Sequence, residues 1–596
     1  MNDVDDRVGR YLHQRAHTIE LEPGSLDRVA RRAQQRRGRR RLAGVVAVGL
    51  AAVLVADQVT SSGSDPTVTM APASGGVAQG AALQWERRDP SDPSLALGHT
   101  MQMVNSGRAL YALSTAPGRA GADQSVPQAL YRSADGVEWQ AASLLEDGVW
   151  LGDLETDGRR LYAVGTAAAT TAGGSSGSAP LHQLLVGTSD DGGAQWAKQA
   201  LPVDLAALEA QTTSLWVTST SVASGPNGIV AAARVMGQLD PAVVLPDGVE
   251  APWGIGATPE GVEVYGPPAE GAAFAERSCS TGTVVPVSAE ELQARAGAER
   301  RLRDEAAGAS GAAGRAPEVA DGGSGYGCML VDGDVHVLAK EEVHGPAVQR
   351  FTWEELGASD DLRLAALGRL RAFWSADGSD FTEVALPDDV PAGLAAAHVL
   401  GGEGGYTLLT HGEPGGAAQD VTLQVLTSPD GQTWTPAGVA PVQGWLSGAG
   451  RLGDELVAVV SGVDGMPVLL RSVDGVSWTT LDLGEAFDQE RFGSVEGLGT
   501  GPLALSPDGM ALVLFELTED GIGRQYVLST VDGETWTTTA LDEVPGVPEL
   551  GVGGGYVRSV GMKGSSVVVT FGVMGPDRDR SELEPTAVLV GTPPAA

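Results

Sequence analysis

Histidines, cysteines and acidic residues are the groups from which an active site could be built, and their spacing matches no standard site. Eight histidines are scattered along the 596 residues, at positions 13, 17, 99, 182, 336, 344, 398 and 411. The sequence contains no HExxH zinc motif, no GxSxG nucleophile turn, no P-loop and no dinucleotide fingerprint. Paired carboxylates could hydrolyse glycosidic bonds, but the sequence does not single out such a pair among 76 acidic residues. We therefore predict no metal site and no cofactor.

Cys279 and Cys328 are the only cysteines of the chain. An isolated pair outside the cytoplasm favours a disulfide. Closing a loop of about 50 residues would stabilise the fold by roughly 4 kcal/mol in the chain-entropy model. Two free thiols and a metal site remain as alternatives, although no CxxC is present and no histidine stands close in sequence.

A motif of Ser or Thr, Asp, Gly and an aromatic residue recurs six times with the pattern S/T-x-D-(x)-G-x-x-W/F. Its copies are Ser133, Asp135, Gly136, Trp139; Ser189, Asp191, Gly193, Trp196; Ser375, Asp377, Gly378, Phe381; Ser428, Asp430, Gly431, Trp434; Ser472, Asp474, Gly475, Trp478; and Thr530, Asp532, Gly533, Trp536. The Asp carboxylate and the hydroxyl can bond nearby backbone N–H groups, and Gly supplies a positive φ. The aromatic residue leads into the next strand and packs over the turn. The motif therefore predicts a turn that joins two antiparallel strands.

This motif resembles the Asp-box, or BNR repeat, of β-propellers such as sialidases and the sortilin lumenal domain. The resemblance covers residues 82–592 approximately, and in that family the box is structural and joins the third and fourth strands of a blade. It implies an all-β propeller. The boxes begin at 133, 189, 375, 428, 472 and 530, and four of the five intervals fit one blade each.

The long interval between the second and third boxes predicts one blade with an insertion at about 236–366, rather than several blades without boxes. Its stretch 289–325 is rich in Ala, Glu, Arg and Gly and is typical of a low-complexity segment. The strands 214–218 and 228–235 are predicted to precede the insertion, and the strand 370–374 to follow it.

A seventh blade is predicted to be shared between the two ends of the domain. Strands at 566–571 and 587–590 precede Thr592, where a box would begin, and the orphan strand 82–87 carries Trp85 in the box-aromatic position. Pairing the first and last strands would close a ring and hide two edges. Six or eight blades remain as alternatives.

The N-terminal 56 residues predict a membrane anchor. Residues 1–42 hold eleven Arg, no Lys and six acids, a net charge of +5, and the whole chain carries −37, so residues 43–596 carry −42. The stretch 42–56 has no charge and follows a cluster of five arginines within 36–41. This predicts a cytoplasmic head (1–41), a transmembrane anchor (42–56), a flexible linker (57–81) and an extracytoplasmic propeller. A cleaved signal peptide and a buried core helix are the alternatives. The head and anchor together resemble the N-terminus of many actinobacterial membrane proteins.

We expect the propeller to bind an unknown protein or glycan at one of its faces without catalysis, since the charge of −42 disfavours nucleic acid. A sialidase-like hydrolase is the first alternative. That family needs three arginines, a Tyr/Glu pair and an acidic Asp, but the domain start reads WERRDP and lacks the expected Arg motif. Arg132 and Arg471 precede boxes, so they should lie away from a central pocket. A sensor that signals to a cytoplasmic regulator is the second alternative.

Overall fold

Nearly every described element is a β-strand. The computed structural model describes residues 69–72, 78–88, 91, 100–115, 128–144, 149–168, 181–251, 254–266, 274–277, 284–287, 328–331, 334–337, 347–387, 390, 397–411, 422–462, 467–493, 498–518, 521–547, 555–573 and 585–594. All of them belong to one compact unit, Thr67–Ala596. The predicted head and anchor lie outside the described residues. In the part of the chain that the structure describes, no helix is long and apolar enough to cross a membrane.

The first half of the described chain contains the strands β1 (Thr69–Pro72), β2 (Ala78–Gln79), β3 (Gln84–Arg87), β4 (Thr100–Asn105), β5 (Leu110–Thr115), β6 (Gln128–Ser133), β7 (Gln140–Leu144), β8 (Val149–Thr156), β9 (Leu161–Ala168), β10 (Leu181–Ser189), β11 (Ala197–Ala200), β12 (Thr212–Gly225), β13 (Gly228–Leu239), β14 (Ile255–Thr258), β15 (Gly261–Tyr265), β16 (Phe274–Arg277), β17 (Val284–Val287), β18 (Cys328–Val331), β19 (Asp334–Val337) and β20 (Ala347–Thr352).

The second half contains the strands β21 (Leu370–Ser375), β22 (Thr382–Val384), β23 (Ala397–Gly402), β24 (Gly405–His411), β25 (Thr422–Ser428), β26 (Thr435–Leu452), β27 (Glu455–Gly462), β28 (Pro467–Ser472), β29 (Ser477–Asp482), β30 (Leu498–Ser506), β31 (Gly509–Thr518), β32 (Gly521–Thr530), β33 (Thr535–Ala540), β34 (Gly555–Lys563), β35 (Ser566–Val573) and β36 (Pro585–Thr592).

Most of these described strands form seven four-stranded antiparallel units, which we number sheets 1 to 7. Sheet 1 is β4–β7, sheet 2 is β8–β11, sheet 3 is β12, β13, β21 and β22, and sheet 6 is β30–β33. The long strand β26 serves two units, because its first part pairs with β25 to complete sheet 4 and its second part pairs with β27 to begin sheet 5. Sheet 7 consists of β34, β35, β36 and the N-terminal strand β3.

The long interval in the motif falls within sheet 3. Strand β13 pairs directly with β21, so the residues between them leave and rejoin the same sheet. They contribute a three-stranded sheet of β14, β15 and β20 and a four-stranded sheet of β16 to β19. The stretch 289–325 lies outside the described residues.

The apolar core is divided among the spaces between consecutive sheets. Seven buried clusters fill these spaces in order along the described chain. The last cluster joins Val568, Val588 and Val590 of sheet 7 to Leu110 and Tyr131 of sheet 1. The first strands of the sheets, which we call the inner strands (β4, β8, β12, β23, the second part of β26, β30 and β34), contact one another in a closed cycle. The chain therefore adopts an all-β fold of the β-propeller type.

Three N-terminal strands add to the outer edges of sheets 5, 6 and 7. Strand β1 pairs in parallel with β29, and β2 pairs in parallel with β33. Strand β3 pairs antiparallel with β36, with Trp85 opposite Gly591, so the predicted pairing of the first and last strands is present. Each addition covers backbone groups that an edge strand would otherwise expose.

Short helices connect some of the strands. They are α1 (Leu205–Glu209), α2 (Pro241–Val244), α3 (Asp360–Ala366), α4 (Leu483–Ala486) and α5 (Gln489–Phe492), with a 3-10 turn at Leu541–Glu543. Each α-helix begins after an Asp or Ser whose side chain accepts a backbone N–H of the first turn, the arrangement expected of an N-cap.

Candidate functional site: the inner strands

The six repeated turns share one hydrogen-bond pattern. In the turn after β25, the N–H of Gly431 donates to Ser428 Oγ at 2.8 Å. The N–H groups of Gln432 and Thr433 donate to Asp430 Oδ1 at 2.8 Å each. The indole N–H of Trp434 returns to the carbonyl of Gly431 at 3.2 Å. The side chains thus satisfy backbone groups of their own turn.

The same bonds explain the electrostatics of the turn carboxylates. The N–H groups of Thr433 and Gln432 hold the pKa of Asp430 below its usual value. The pKa of Asp191 is lowered in the same way, first by the N–H of Gln195. These carboxylates are committed to local bonds, and the described residues contain no group of three or more His, Cys, Asp or Glu that could hold a metal ion.

Two copies depart in detail from this pattern. The turn after β10 has one more residue, and the indole N–H of Trp196 donates to Ser143 Oγ at 3.2 Å instead of to its own turn. The turn after β21 has Phe381, which has no N–H to donate. Trp139, Trp478 and Trp536 donate to their own turn glycines at 3.0, 3.0 and 3.2 Å.

Trp85 of the N-terminal strand takes the place of the turn aromatic in sheet 7. In sheet 6, the hairpin of β30 and β31 ends in the pair Ser506 and Gly509. The next residue, Met510, pairs with Thr530, the first residue of the repeated turn. Val567 has the same place in sheet 7, and it pairs with Gly591. Gly591 therefore holds the Ser/Thr position, and Thr592, to which the sequence assigned it, lies one residue later.

The absence of a side chain at Gly591 makes room for the Trp85 ring. A Cβ atom at Gly591 would stand 2.9 Å from that ring. Trp85 packs against the cluster between sheets 6 and 7, as Trp536 packs between sheets 5 and 6. Its indole N–H donates to Thr539 Oγ1 of sheet 6 at 3.2 Å.

Six of the seven inner strands have a register shift at a similar height, and β23 is the exception. The shifts fall between Thr100 and Gln102, Leu151 and Asp153, Thr218 and Ser221, Leu446 and Gly448, Thr500 and Leu503, and Val557 and Ser559. Such bulges twist a strand and re-aim its side chains, and they are frequent next to functional sites. We place the candidate site along these inner strands for that reason.

Polar side chains from one sheet bond the inner-strand backbone of the next. Gln102 accepts the N–H of Leu154 at 2.7 Å and donates to its carbonyl at 3.0 Å. Gln128 does the same with Leu151, at 2.7 and 2.9 Å. Gln525 accepts the N–H of Val557 at 2.9 Å. Leu151 and Val557 each stand directly before a bulge, so these side chains hold the backbone where the ladder is interrupted.

Two carboxylates on β8 have perturbed acidity. Burial raises the pKa of Asp153 to about 6, although Gln102 Nε2 (2.8 Å) and the N–H of Val222 (2.9 Å) both donate to its carboxylate. Burial raises the pKa of Glu155 to about 8, the Asp153 charge adds to the effect, and Arg451 opposes it. Perturbed groups of this kind are common at functional sites and also occur in structural networks. The two oxygens of Asp153 serve such a network, because they join sheets 1, 2 and 3.

Large aromatic side chains are exposed where the inner strands begin. Because neighbouring strands alternate in direction, the repeated turns lie at the end of the sheets where the inner strands finish, which we call the lower face. The inner strands begin at the opposite, upper face. Trp150, the second residue of β8, is 42% exposed, and Trp216, on β12, is 36% exposed. By contrast, Trp139, Trp478 and Trp536 of the repeated turns are fully buried.

The described inner strands contain two arginines, Arg451 and Arg558. Arg451 is the next-to-last residue of β26 and lies toward the lower face, whereas Arg558 is the fourth residue of β34 and lies toward the upper face. They therefore form no cluster of the kind that the sialidase alternative requires. Arg132 and Arg471, which the sequence placed away from a central pocket, lie on the third strands β6 and β28, and Arg471 bonds Glu455 at 2.6 Å.

The predicted disulfide falls outside what the structure describes, because Cys279 is not among the described residues. The sequence did not single out Trp150, Trp216, Asp153, Glu155 or Arg558. A charged residue within the apolar run of β34 was the available signal for Arg558. No comparable signal marks the other four, because their exposure or burial depends on how several sheets meet.

Comparison with known proteins identifies no family. No family model and no curated protein matches the chain. Its structure is similar to that of a prolyl endopeptidase (10% identity, 82% of this chain and 56% of that chain, TM-score 0.27), so the chain spans just over half the length of that protein. It is also similar to the NanB sialidase of Streptococcus pneumoniae (11% identity, 74% and 67%, TM-score 0.32) and to a puromycin hydrolase (12% identity, 85% and 54%, TM-score 0.36).

Proposed function

We propose that this chain is a membrane-anchored, extracytoplasmic binding module without catalytic activity, and that ligands bind at the upper face. The observation that carries the proposal is the exposure of Trp150 and Trp216 on adjacent inner strands at that face. Exposed tryptophans supply a large contact area at low entropic cost, and such rings are enriched where proteins bind partners. The ligand is a protein or a glycan.

The architecture assumed here is a ring of seven Asp-box blades, one for each of sheets 1 to 7. Support comes from the six repeated turns, from the inner strands that contact in a closed cycle and from the cluster between sheets 7 and 1. In this arrangement β3 completes the last blade. The Asp-box residues act within their turns at the lower face and leave the upper face for binding.

The proposed placement in the cell rests on the sequence alone. Fifteen uncharged residues, 42–56, follow a cluster of arginines, which favours a cytoplasmic head and an external propeller. Alkaline carbonate extraction of membranes should leave the full chain in the pellet. Protease added to cells that have lost their cell wall but keep an intact cell membrane should digest the propeller and spare the head. Release of the chain by carbonate would contradict the anchor.

The binding function can be tested with the full chain purified in detergent. Arrays of glycans and of peptides should yield at least one ligand whose affinity falls about tenfold or more in Trp150→Ala, as expected when a central aromatic contact is removed. Val439→Ala, which truncates an exposed side chain on the outer part of β26, serves as the matched control and should bind normally. Equal binding by both variants would contradict the proposed face.

A glycoside hydrolase of sialidase-like architecture is the second candidate. The raised pKa values of Asp153 and Glu155 favour it, since a carboxyl group that stays protonated near neutral pH can act as a general acid. Hydrolysis of a fluorogenic sialoside or of another aryl glycoside, abolished in Glu155→Gln, would establish this function and exclude the non-catalytic one.

A further inference from the structure

Two of the three guanidinium nitrogens of Arg558 are buried in sheet 7 without a hydrogen-bonding partner. Arg558 is the residue skipped by the ladder between Val557 and Ser559, and it is 9% exposed. Within the described structure, its Nε and Nη1 atoms are buried and make no hydrogen bond. The Cζ atom of Arg558 lies 5.7 Å from the centroid of the Tyr556 ring.

Two other buried or half-buried arginines of the fold, Arg371 and Arg471, are neutralised by carboxylates, whereas the fully buried Arg234 donates from Nη1 to the carbonyl of Gly368 and, within the described residues, leaves Nε and Nη2 unbonded. Arg371 is 4% exposed and lies 2.8 Å from Asp361, and it also bonds Glu383. Arg471 pairs with Glu455 at 2.6 Å and donates to the carbonyl of Gly533 at 3.0 Å. Burying a charge without such partners is costly, because the group loses its hydration and gains nothing in return. Nε and Nη1 of Arg558 are therefore unused donors on an inner strand, and an anion bound to them would compensate the buried charge.

Resting on the binding function proposed above, we propose that Arg558 is a subsite for an oxyanion group of the ligand, either a planar carboxylate or a tetrahedral sulfate or phosphate. The planar fork of Arg donors matches both shapes and binds them through charge-assisted bonds. The bulge sets this residue on an inner strand near the upper face, where Trp150 and Trp216 are exposed. The ligand then combines a ring or apolar surface with an anionic group.

The net negative charge of the protein limits how an anion can be bound. Residues 43–596 carry −42, so the long-range field repels anions. An anion must therefore be held by a short-range contact, and a desolvated guanidinium provides one. Screening by salt reduces the repulsion, so measurements belong at constant ionic strength.

The test uses the full chain in detergent with sodium acetate, sodium sulfate and sodium phosphate as probes, at an ionic strength held constant with sodium chloride. We expect at least one oxyanion to raise the melting temperature of the wild type in a saturable way. In Arg558→Met, the apparent affinity should fall about tenfold or more, as for the loss of a charge-assisted bond. Acetate against sulfate and phosphate distinguishes the planar from the tetrahedral group.

Two further variants serve as controls. Arg558→Lys keeps the charge without the fork, so it should retain a weakened response. Arg524→Met removes an exposed arginine that pairs with Asp542 at 2.7 Å, so it should respond as the wild type does. Without added oxyanion, Arg558→Met should melt at the wild-type temperature or above, because an uncompensated buried charge is removed.

The outcomes separate this proposal from the one on which it rests. An oxyanion response that is equal in the wild type and Arg558→Met, or absent from both, would overturn the subsite. If an array ligand still bound through Trp150 in that case, the binding function would stand. A chain that bound neither oxyanions nor any array ligand would contradict both proposals.

Discussion

The carboxyl group of Glu155 shows how burial on an inner strand changes the chemistry of one side chain. Its pKa is raised to about 8 by burial and by the nearby charge of Asp153. A carboxyl group whose pKa is raised in the folded state stabilises the protein fully below its unfolded pKa, near 4.5. That stabilisation is lost as the pH rises through 8.

Replacing this group by an amide should remove the pH dependence. We expect Glu155→Gln to melt near the wild-type temperature at pH 5 and clearly above it at pH 8, by up to about 4 kcal/mol in the free energy of unfolding. Thermal melts at the two pH values measure the difference. Glu403→Gln, which changes an exposed carboxylate, should show no such divergence, and an equal effect of Glu155→Gln at both pH values would contradict the argument.

The turn residues and Glu155 show why the roles of some residues could be predicted from the sequence and those of others could not. Ser428, Asp430 and Gly431 act on backbone groups within their own turn, so their role can be inferred from a seven-residue motif. Asp153, on the same strand, helps to raise the pKa of Glu155, but burial raises it most, and the opposing charge of Arg451 comes from sheet 5. That burial depends on how several sheets pack together. No local pattern in the sequence encodes that environment.

Among the elements, the repeated turn is the most constrained by packing. Gly431 has φ of +78°, and a Cβ atom there would stand 2.6 Å from the Trp374 ring and 2.9 Å from Val230. Gly453 also has a positive φ, +59°, but a Cβ atom there would meet nothing within 4 Å. The two glycines therefore separate the cost of backbone strain from the cost of overpacking.

Alanine substitutions at these glycines should differ accordingly. Gly453→Ala should lower the free energy of unfolding by about 1 kcal/mol, the cost of a left-handed alanine. Gly431→Ala should cost about 1–3 kcal/mol more, because the added methyl group collides with the neighbouring sheet. Chemical denaturation measures both values. Equal losses would mean that the neighbouring sheet yields to the methyl group without cost.

The positions of the strands could be predicted from the sequence better than the register in which they pair. The apolar runs before each turn correctly mark third strands, and the single sheet around the long insertion follows from them. The bulges at Gly152 and Arg558 could not be predicted, because a register shift is a property of two strands and of the side chains that hold them. For the same reason, the sequence assigned the Ser/Thr position of sheet 7 to Thr592, one residue after Gly591.

For the whole molecule, closure through the N-terminal strand is the feature with the widest consequences. Strand β3 is separated from its partner β36 by the entire chain of sheets, and Trp85 packs between sheets 6 and 7. Gln102 and Gln128 tie sheet 1 to the inner strand of sheet 2, and Gln525 ties sheet 6 to the inner strand of sheet 7. A loss at the closing sheet should therefore destabilise all the sheets together rather than unfold sheet 7 alone.

Trp85→Ala in the full chain tests this view of the molecule. The side chain is half-buried and bonds Thr539, so its removal should lower the free energy of unfolding by about 2 kcal/mol, less than the roughly 3–5 kcal/mol of a fully buried tryptophan. The melting transition should remain single and shift as a whole. Trp150→Ala, which truncates an exposed tryptophan, should leave the transition in place. A separate early transition in Trp85→Ala, with the remaining sheets melting at the wild-type temperature, would show that closure adds nothing to the stability of the ring, since an opened edge would then cost only the strands beside it.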